Sequence, residues 1–340
     1  MNFDILIVLI GSLYLILLIS FQNRYSFCLD KISKKEKHKN LLKLNTKVPL
    51  TGSFYFLPII LFLTYENNIH IFIFCTLFFF IGLLSDLKIT TSPKLRLLLQ
   101  SLILLLLVFV NKELKIDTRL DFLNYLMNFE LFRIIIISFF FLVLINGFNF
   151  IDGVNNLSSL NIFIITLFLY LLSTKFTSEF NYLINIFLPL LLIFVLLNFF
   201  GKNFLGDGGI YGLGFFIGII SIQITLLNDQ ISPYFVANLL WYPAFENLFS
   251  ILRRIFSNKK NYLADNLHLH QLLYKYLSKK KLFKDKYLTS SLTGILINFY
   301  LIIYYFIGFF DYSNTQLQIG LILINTLVYL ITHNFLKEQK

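Results

Sequence analysis

The sequence predicts an all-α polytopic membrane protein, and composition, hydropathy pattern and charge asymmetry each point there. Apolar residues make up 57% of the 340 residues, charged residues only 14%, and the mean hydropathy is +0.74. A soluble domain carries about 25% charged residues because its surface faces water. The 29 basic and 18 acidic residues here are too few to coat a soluble body of 40.0 kDa, so the surplus apolar surface requires lipid. The same figures exclude a disordered chain, a collagen-like repeat and a disulfide scaffold. Cys28 and Cys75 show neither a pairing framework nor metal-ligand spacing and read as unpaired thiols.

A helix that spans a bilayer needs about 20 predominantly apolar residues. Eleven runs qualify or nearly do: 3–21, 48–65, 69–84, 95–111, 133–147, 160–173, 183–199, 209–227, 234–250, 289–308 and 317–335. They are Leu, Ile and Phe runs without 3.6-residue amphipathicity, as expected for segments apolar on every side. Pro49, Pro93 and Pro233 fall at or just before run starts, where a missing N–H costs little. Pro58, Pro189 and Pro243 fall inside runs, which lipid-embedded helices tolerate. Residues 1–21 carry Asp4 and lack an A-x-A site, so they read as a retained first helix.

Lys and Arg set the orientation. With the N-terminus outside and the C-terminus cytoplasmic, segments 22–47, 85–96, 147–159, 200–209, 251–288 and the tail hold 24 basic residues. The other five, Lys112, Lys115, Arg119, Arg133 and Lys175, fall outside. That is a strong positive-inside bias, and the acidic residues split evenly. The net charge of +11 is thus a topology signal that needs no nucleic acid. The basic loops also suit anionic headgroups, although for Lys31 to Lys47 orientation alone is explanation enough. The whole chain reads as one integral membrane domain, 1–340, with the inner loops as its active face.

The ionisable residues outside the basic runs gather on that face. Asp86 ends Gly82-Leu83-Leu84-Ser85-Asp86; Asp152 lies in a block running from Asn146 through Asn149 and Gly153 to Asn155 and Asn156. Asp207 lies in Gly206-Asp207-Gly208-Gly209, and His268 and His270 follow Asp265-Asn266, downstream of Arg253-Arg254. The topology rests on basic residues alone and was not required to bring these motifs together. An ionisable residue costs about 2.5 to 3.5 kcal/mol at the centre of a membrane helix and less near its ends. Any one aspartate alone reads equally well as a helix cap or a loop charge; all three on one face argue for a shared use. Carboxylates with amides nearby suit a hard cation, and Mg²⁺ bridges phosphates while taking one or two carboxylates. Glycines beside Asp152 and Asp207 let backbone N–H groups approach phosphate, and the Arg and His residues supply its counter-charges.

Other readings fail on local context. Gly206 to Gly214 contains no G-x-G-x-x-G, follows no strand and excludes a dinucleotide fold; no Walker A sequence occurs. Asp152-Gly153 lacks the Ala-Arg and later aspartates of the CDP-alcohol phosphotransferases. The 18% aromatic residues, mostly Phe, read as lipid-facing bulk.

Four blocks, Gly82–Gln100, Asn146–Leu157, Phe204–Gly214 and Pro243–Leu272, resemble in sequence and order those of the polyprenyl-phosphate N-acetylhexosamine-1-phosphate transferases. That group includes undecaprenyl-phosphate GlcNAc-1-phosphate transferase and phospho-MurNAc-pentapeptide transferase. The resemblance runs from about residue 45 to 275. It implies transfer of a sugar 1-phosphate from a UDP-N-acetylhexosamine to undecaprenyl phosphate, with release of UMP, as the initiating step of a cell-envelope polysaccharide. It also implies Mg²⁺, with Mn²⁺ as a substitute, a bacterial inner-membrane location with a cytoplasmic active site, and compatibility with a homodimer. By resemblance Asp86, Asp152 and Asp207 are catalytic, and Asp207 and Asp152 hold the metal. Ser85, Asn146, Asn149, Asn155, Arg253, Arg254, His268 and His270 contact substrate.

Three departures stand out. Ser85-Asp86 replaces the usual Asp-Asp, Gln271 replaces a third histidine, and Glu246 stands where an aspartate is frequent. The H-x-H pattern of His268 and His270 resembles the hexosamine branch more than the MurNAc-pentapeptide branch. The second pKa of a phosphate monoester is near 6, so a lipid phosphate is largely dianionic at pH 7 and needs positioning more than deprotonation. Direct in-line attack is therefore expected, with Ser85 only a hydrogen-bonding group. Two alternatives remain: a transporter or flippase, whose charges should lie near helix midpoints and whose halves should repeat, and an inactive relative marked by Ser85 and Gln271.

Overall fold

In the computed structural model the described residues are 3–30, 47–64, 69–176, 180–256, 267–281 and 285–339. Most of the basic stretch Lys31 to Lys47, the Asp265-Asn266 pair and part of loop 251–288 lie outside them.

The helices follow the apolar runs closely. They are α1 (Phe3–Tyr25), α2 (Gly52–Thr64), α3 (Ile69–Asp86), α4 (Pro93–Val110), α5 (Asp121–Met127), α6 (Glu130–Ile151) and α7 (Ser158–Lys175). After them come α8 (Phe180–Phe199), α9 (Gly206–Leu226), α10 (Pro233–Leu239), α11 (Trp241–Phe256), α12 (Leu269–Lys279), α13 (Lys286–Phe310) and α14 (Thr315–Glu338). Nine of these described helices are long and apolar enough to cross a membrane, which makes the chain a multi-pass membrane protein. Local chemistry marks several starts. Ser92 accepts from the Leu95 N–H with Pro93 at the first helical position, and Ser232 accepts from Tyr234 ahead of Pro233. Asp285 and Asn314 cap α13 and α14 in the same manner. Pro58 and Pro189 lie inside α2 and α8, as expected, and both cysteines are unpaired.

The ninth run differs. It breaks at Leu240, which puts Pro243 in the first turn of α11 rather than mid-helix. Uniform apolarity conceals such a break. Two short elements also appear in stretches read as loops: α5, and the amphipathic α12 within 251–288. A two-stranded antiparallel pair, β1 (Leu29–Asp30) and β2 (Val48–Pro49), closes the start of the chain.

α9 is the most buried of the nine spanning helices and α1 the least. α9 lies against α3 so closely that a side chain on Gly82 would strike the backbone of Asp207 and Gly208. Small residues at such contacts let helix backbones approach, which is how membrane helices associate without a hydrophobic driving force.

Hydrogen bonds between elements define the two ends of the bundle. At one end the Phe204 N–H donates to Pro49 and the Thr51 N–H to Phe204, joining β2 to the start of α9. Ser291 bonds the Phe199 carbonyl and Lys279 the Gln339 carbonyl there. At the far end Arg119 donates to the carbonyls of Ser313 (2.6 Å) and Asp229 (2.7 Å). Every candidate site residue lies toward the first end.

Candidate active site

The C-terminus of α3, the first turn of α4 and the N-terminus of α9 meet. Asp86 turns its carboxylate onto α9: Oδ1 accepts the Asp207 N–H at 2.8 Å and Oδ2 the Gly208 N–H at 3.0 Å. The first N–H groups of a helix lack intrahelical partners and carry the positive end of its dipole, so a carboxylate is well placed there. Leu205 precedes α9 without a side-chain cap, and Asp86 supplies one from another helix. Gly206 has φ of +71°, and a Cβ there would lie 2.7 Å from Asp86 Oδ2; both facts require glycine.

The side chain of Asp207 is thereby fixed at the helix start. Its Oδ2 accepts the Ser85 hydroxyl at 2.5 Å and pairs with the guanidinium of Arg96, which also donates to Ser85 Oγ at 2.6 Å. Arg96 is 19% and Asp207 29% exposed, so solvent and solutes reach the pair. Gln100, one turn beyond Arg96 on α4, accepts from Asn146 Nδ2 at 2.9 Å and joins α6 to the group. Sequence reasoning missed Arg96 as a site residue. Its signal was present: a guanidinium inside the first turn of an otherwise apolar span.

A second group surrounds Asp152, the residue that ends α6. Asp152 accepts from the Ser158 hydroxyl across the turn into α7. A side chain on Gly153 would run into the His270 ring, so glycine is what lets the histidine lie against this turn. His268 and His270 stack with centroids 5.5 Å apart, His268 also lies 5.5 Å from Phe150, and Arg254 lies over Phe150 at 5.8 Å. Glu246 Oε1 is 3.0 Å from His268 Nδ1, and Glu246 Oε2 accepts the Tyr329 hydroxyl at 2.7 Å. α14 thus braces the histidine loop. A tyrosine some sixty residues downstream leaves no local trace of that pairing in the sequence.

The structure brings Ser85, Asp86, Asp207 and Asn146 into one group, and Asp152, Arg254, His268 and His270 into another; the last turns of α6 belong to both. Asn149, in the last turn of α6, is half-buried. Two residues turn elsewhere. Arg253 donates to the Leu267 carbonyl at 2.9 Å and contacts His333 on α14. Asn155 is buried against α13, its N–H bonded to Ser290. His270 is fully buried, neither ring nitrogen has a partner, and burial with nearby His268 pushes its pKa down to about 3. It is a neutral imidazole at pH 7, not a cationic member of a basic loop.

Among the described residues no three His, Cys, Asp or Glu side chains form a metal cage, so the three aspartates do not jointly enclose an ion. Asp207 still fits Mg²⁺ by its chemistry. It is a partly exposed carboxylate that already faces a cation, and Mg²⁺ needs only one or two such ligands when waters and phosphates complete its shell.

No curated protein matches the chain. Residues 68–225, from α3 to α9 and containing Ser85, Asp86, Arg96, Asp152 and Asp207 but not the histidine loop, match the family model of glycosyl transferase family 4. This is the family of phospho-MurNAc-pentapeptide transferase and the polyprenyl-phosphate hexosamine-1-phosphate transferases, and the matched stretch, a little under half of the chain, is similar to it.

Proposed function

We propose that the protein transfers an N-acetylhexosamine 1-phosphate from a UDP-sugar to undecaprenyl phosphate, releasing UMP, as the first step of a cell-envelope polysaccharide. The chain acts as one membrane domain in the bacterial inner membrane, with the Asp86–Asp207 end in the cytoplasm. The observation that carries this reading is Asp207: a carboxylate held at a helix terminus, open to solvent, beside a guanidinium, within the family span.

Asp86 orients α9 and so fixes Asp207. Asp207, with Asp152 on the adjoining helix end, would hold Mg²⁺, which supplies neutralisation of the diphosphate and of the departing UMP. Arg96 and Arg254 supply further positive charge at this end, and His268, oriented by Glu246, presents its ring to the sugar nucleotide. A lipid phosphate oxygen, already anionic at pH 7, attacks the sugar-bearing phosphorus; the bond from that phosphorus to the bridging oxygen breaks and UMP leaves with the electron pair. No general base is required, which accommodates Ser85 in place of an aspartate.

The test is incubation of the purified protein with Mg²⁺, undecaprenyl phosphate and a panel of labelled UDP-N-acetylhexosamines. Labelled lipid and an equal amount of UMP are expected with at least one sugar. Absence of both with every sugar would overturn the assignment.

A further inference from the structure

Asp207 already has a cation. The Arg96 guanidinium and the Ser85 hydroxyl both converge on its Oδ2, and Arg96 and Ser85 are themselves joined at 2.6 Å. We propose that Arg96 is the resident counter-ion of Asp207, that a divalent cation must displace it, and that Ser85 makes the displacement harder. The proposal rests on the reading of Asp207 as a metal ligand given above.

The argument is electrostatic. A guanidinium and a divalent cation on one carboxylate oxygen repel each other strongly in a partly dehydrated site, so they compete for it. Arginine is always charged and cannot yield by losing a proton; it can yield only by moving. Where it moves depends on what else accepts it. Asp86, the nearest other carboxylate on α3, is bonded through both oxygens to the start of α9. Ser85 offers one neutral oxygen. The Ser85, Arg96 and Asp207 side chains therefore sum to zero charge, and among the described residues the guanidinium's carboxylate partner is Asp207. An aspartate at position 85 would bring the sum to −1 and give the fork of Arg96 a carboxylate of its own, which frees Asp207. Arg96 and Ser85 thus act on the cation through Asp207, as positioning residues.

The experiment is a titration of the detergent-purified full chain with Mn²⁺ alone, without nucleotide sugar or lipid phosphate, with free Mn²⁺ read by electron paramagnetic resonance. Arg96→Gln is expected to bind Mn²⁺ more tightly than the unaltered chain, by about fivefold, the upper range for one partly exposed ion pair. Ser85→Asp is expected to shift affinity in the same direction while keeping the arginine, which guards against a folding defect in either variant. Asp207→Asn should abolish the site. If Asp207→Asn removes Mn²⁺ binding but Arg96→Gln and Ser85→Asp leave it unchanged or weaker, the counter-ion proposal fails and the ligand assignment stands. If Asp207→Asn leaves Mn²⁺ binding intact, both fail.

Discussion

The carboxylate of Asp86 is committed to the backbone of Asp207: one oxygen accepts the Asp207 N–H and the other accepts that of Gly208. An acidic residue that looks like a metal ligand in sequence is, in the fold, the cap of the helix that presents the neighbouring aspartate. Asp86→Ala should therefore lower stability by about 1 kcal/mol, with a smaller loss for Asp86→Asn, which keeps one acceptor oxygen. Thermal unfolding in detergent measures this. Complete loss of activity in Asp86→Asn at an unchanged melting temperature would place Asp86 in the chemistry instead.

Ser85 and Asp207 separate by substitution. Ser85→Ala removes one hydrogen bond from Asp207 Oδ2 and leaves Arg96 on it, so a substantial part of the rate should remain. Asp207→Asn keeps the shape and removes the charge, and should cost at least about a hundredfold in kcat. Equal and complete loss in both variants would make Ser85 indispensable and contradict direct attack by the lipid phosphate.

The contact between α3 and α9 predicts a contrast between glycines. The three atoms nearest to a Cβ on Gly82 are backbone atoms of α9, which cannot rotate away, whereas a Cβ on Gly320 in α14 meets nothing within 4 Å. Gly82→Ala should destabilise by about 1 to 3 kcal/mol and displace Ser85 and Asp86 from α9, with loss of activity. Gly320→Ala should be neutral or stabilising by about 0.5 to 1 kcal/mol, since it removes backbone freedom from the unfolded chain. Melting temperatures of the two variants decide it; equal effects would contradict the packing argument.

Tyr329 predicts the reach of α14. Its hydroxyl satisfies the second oxygen of buried Glu246, whose first oxygen meets His268. Tyr329→Phe leaves that oxygen without a donor inside the protein and should cost about 1 to 3 kcal/mol. It should also raise KM for the sugar nucleotide through His268 more than it lowers kcat. A change in kcat alone would argue against an orienting role.

These residues show what could be read in advance. Long apolar runs placed the spanning helices to within a few residues, because lipid demands length and apolarity of each segment separately. The break at Leu240 and the short helices α5 and α12 escaped because they depend on packing rather than on hydropathy. That Asp86, Asp152 and Asp207 lie toward one end of the bundle was legible from the order of the apolar runs; the side of the membrane that this end faces is an expectation from lysine and arginine counts. Their division of labour was not: Asp86 as a cap, Arg96 as partner of Asp207 and Tyr329 as support for Glu246 all join residues from separate helices. Local patterns carry no trace of such pairings.

His270 predicts an acid-sensitive fold. Burial lowers its pKa from 6.5 to about 3, with His268 adding to the shift, so the folded protein holds it neutral where the unfolded chain protonates it. Below pH 6.5 the unfolded state binds the extra proton, and stability must fall as pH drops toward 3; above pH 6.5 this group contributes no slope. At pH 5 the loss from this one residue is about 2 kcal/mol. His270→Gln removes the titration. The variant should lose less stability than the unaltered chain between pH 7.5 and pH 5, whatever its stability at pH 7.5. Parallel melting temperatures across that interval would mean that His270 is hydrated or paired in the folded protein and titrates normally.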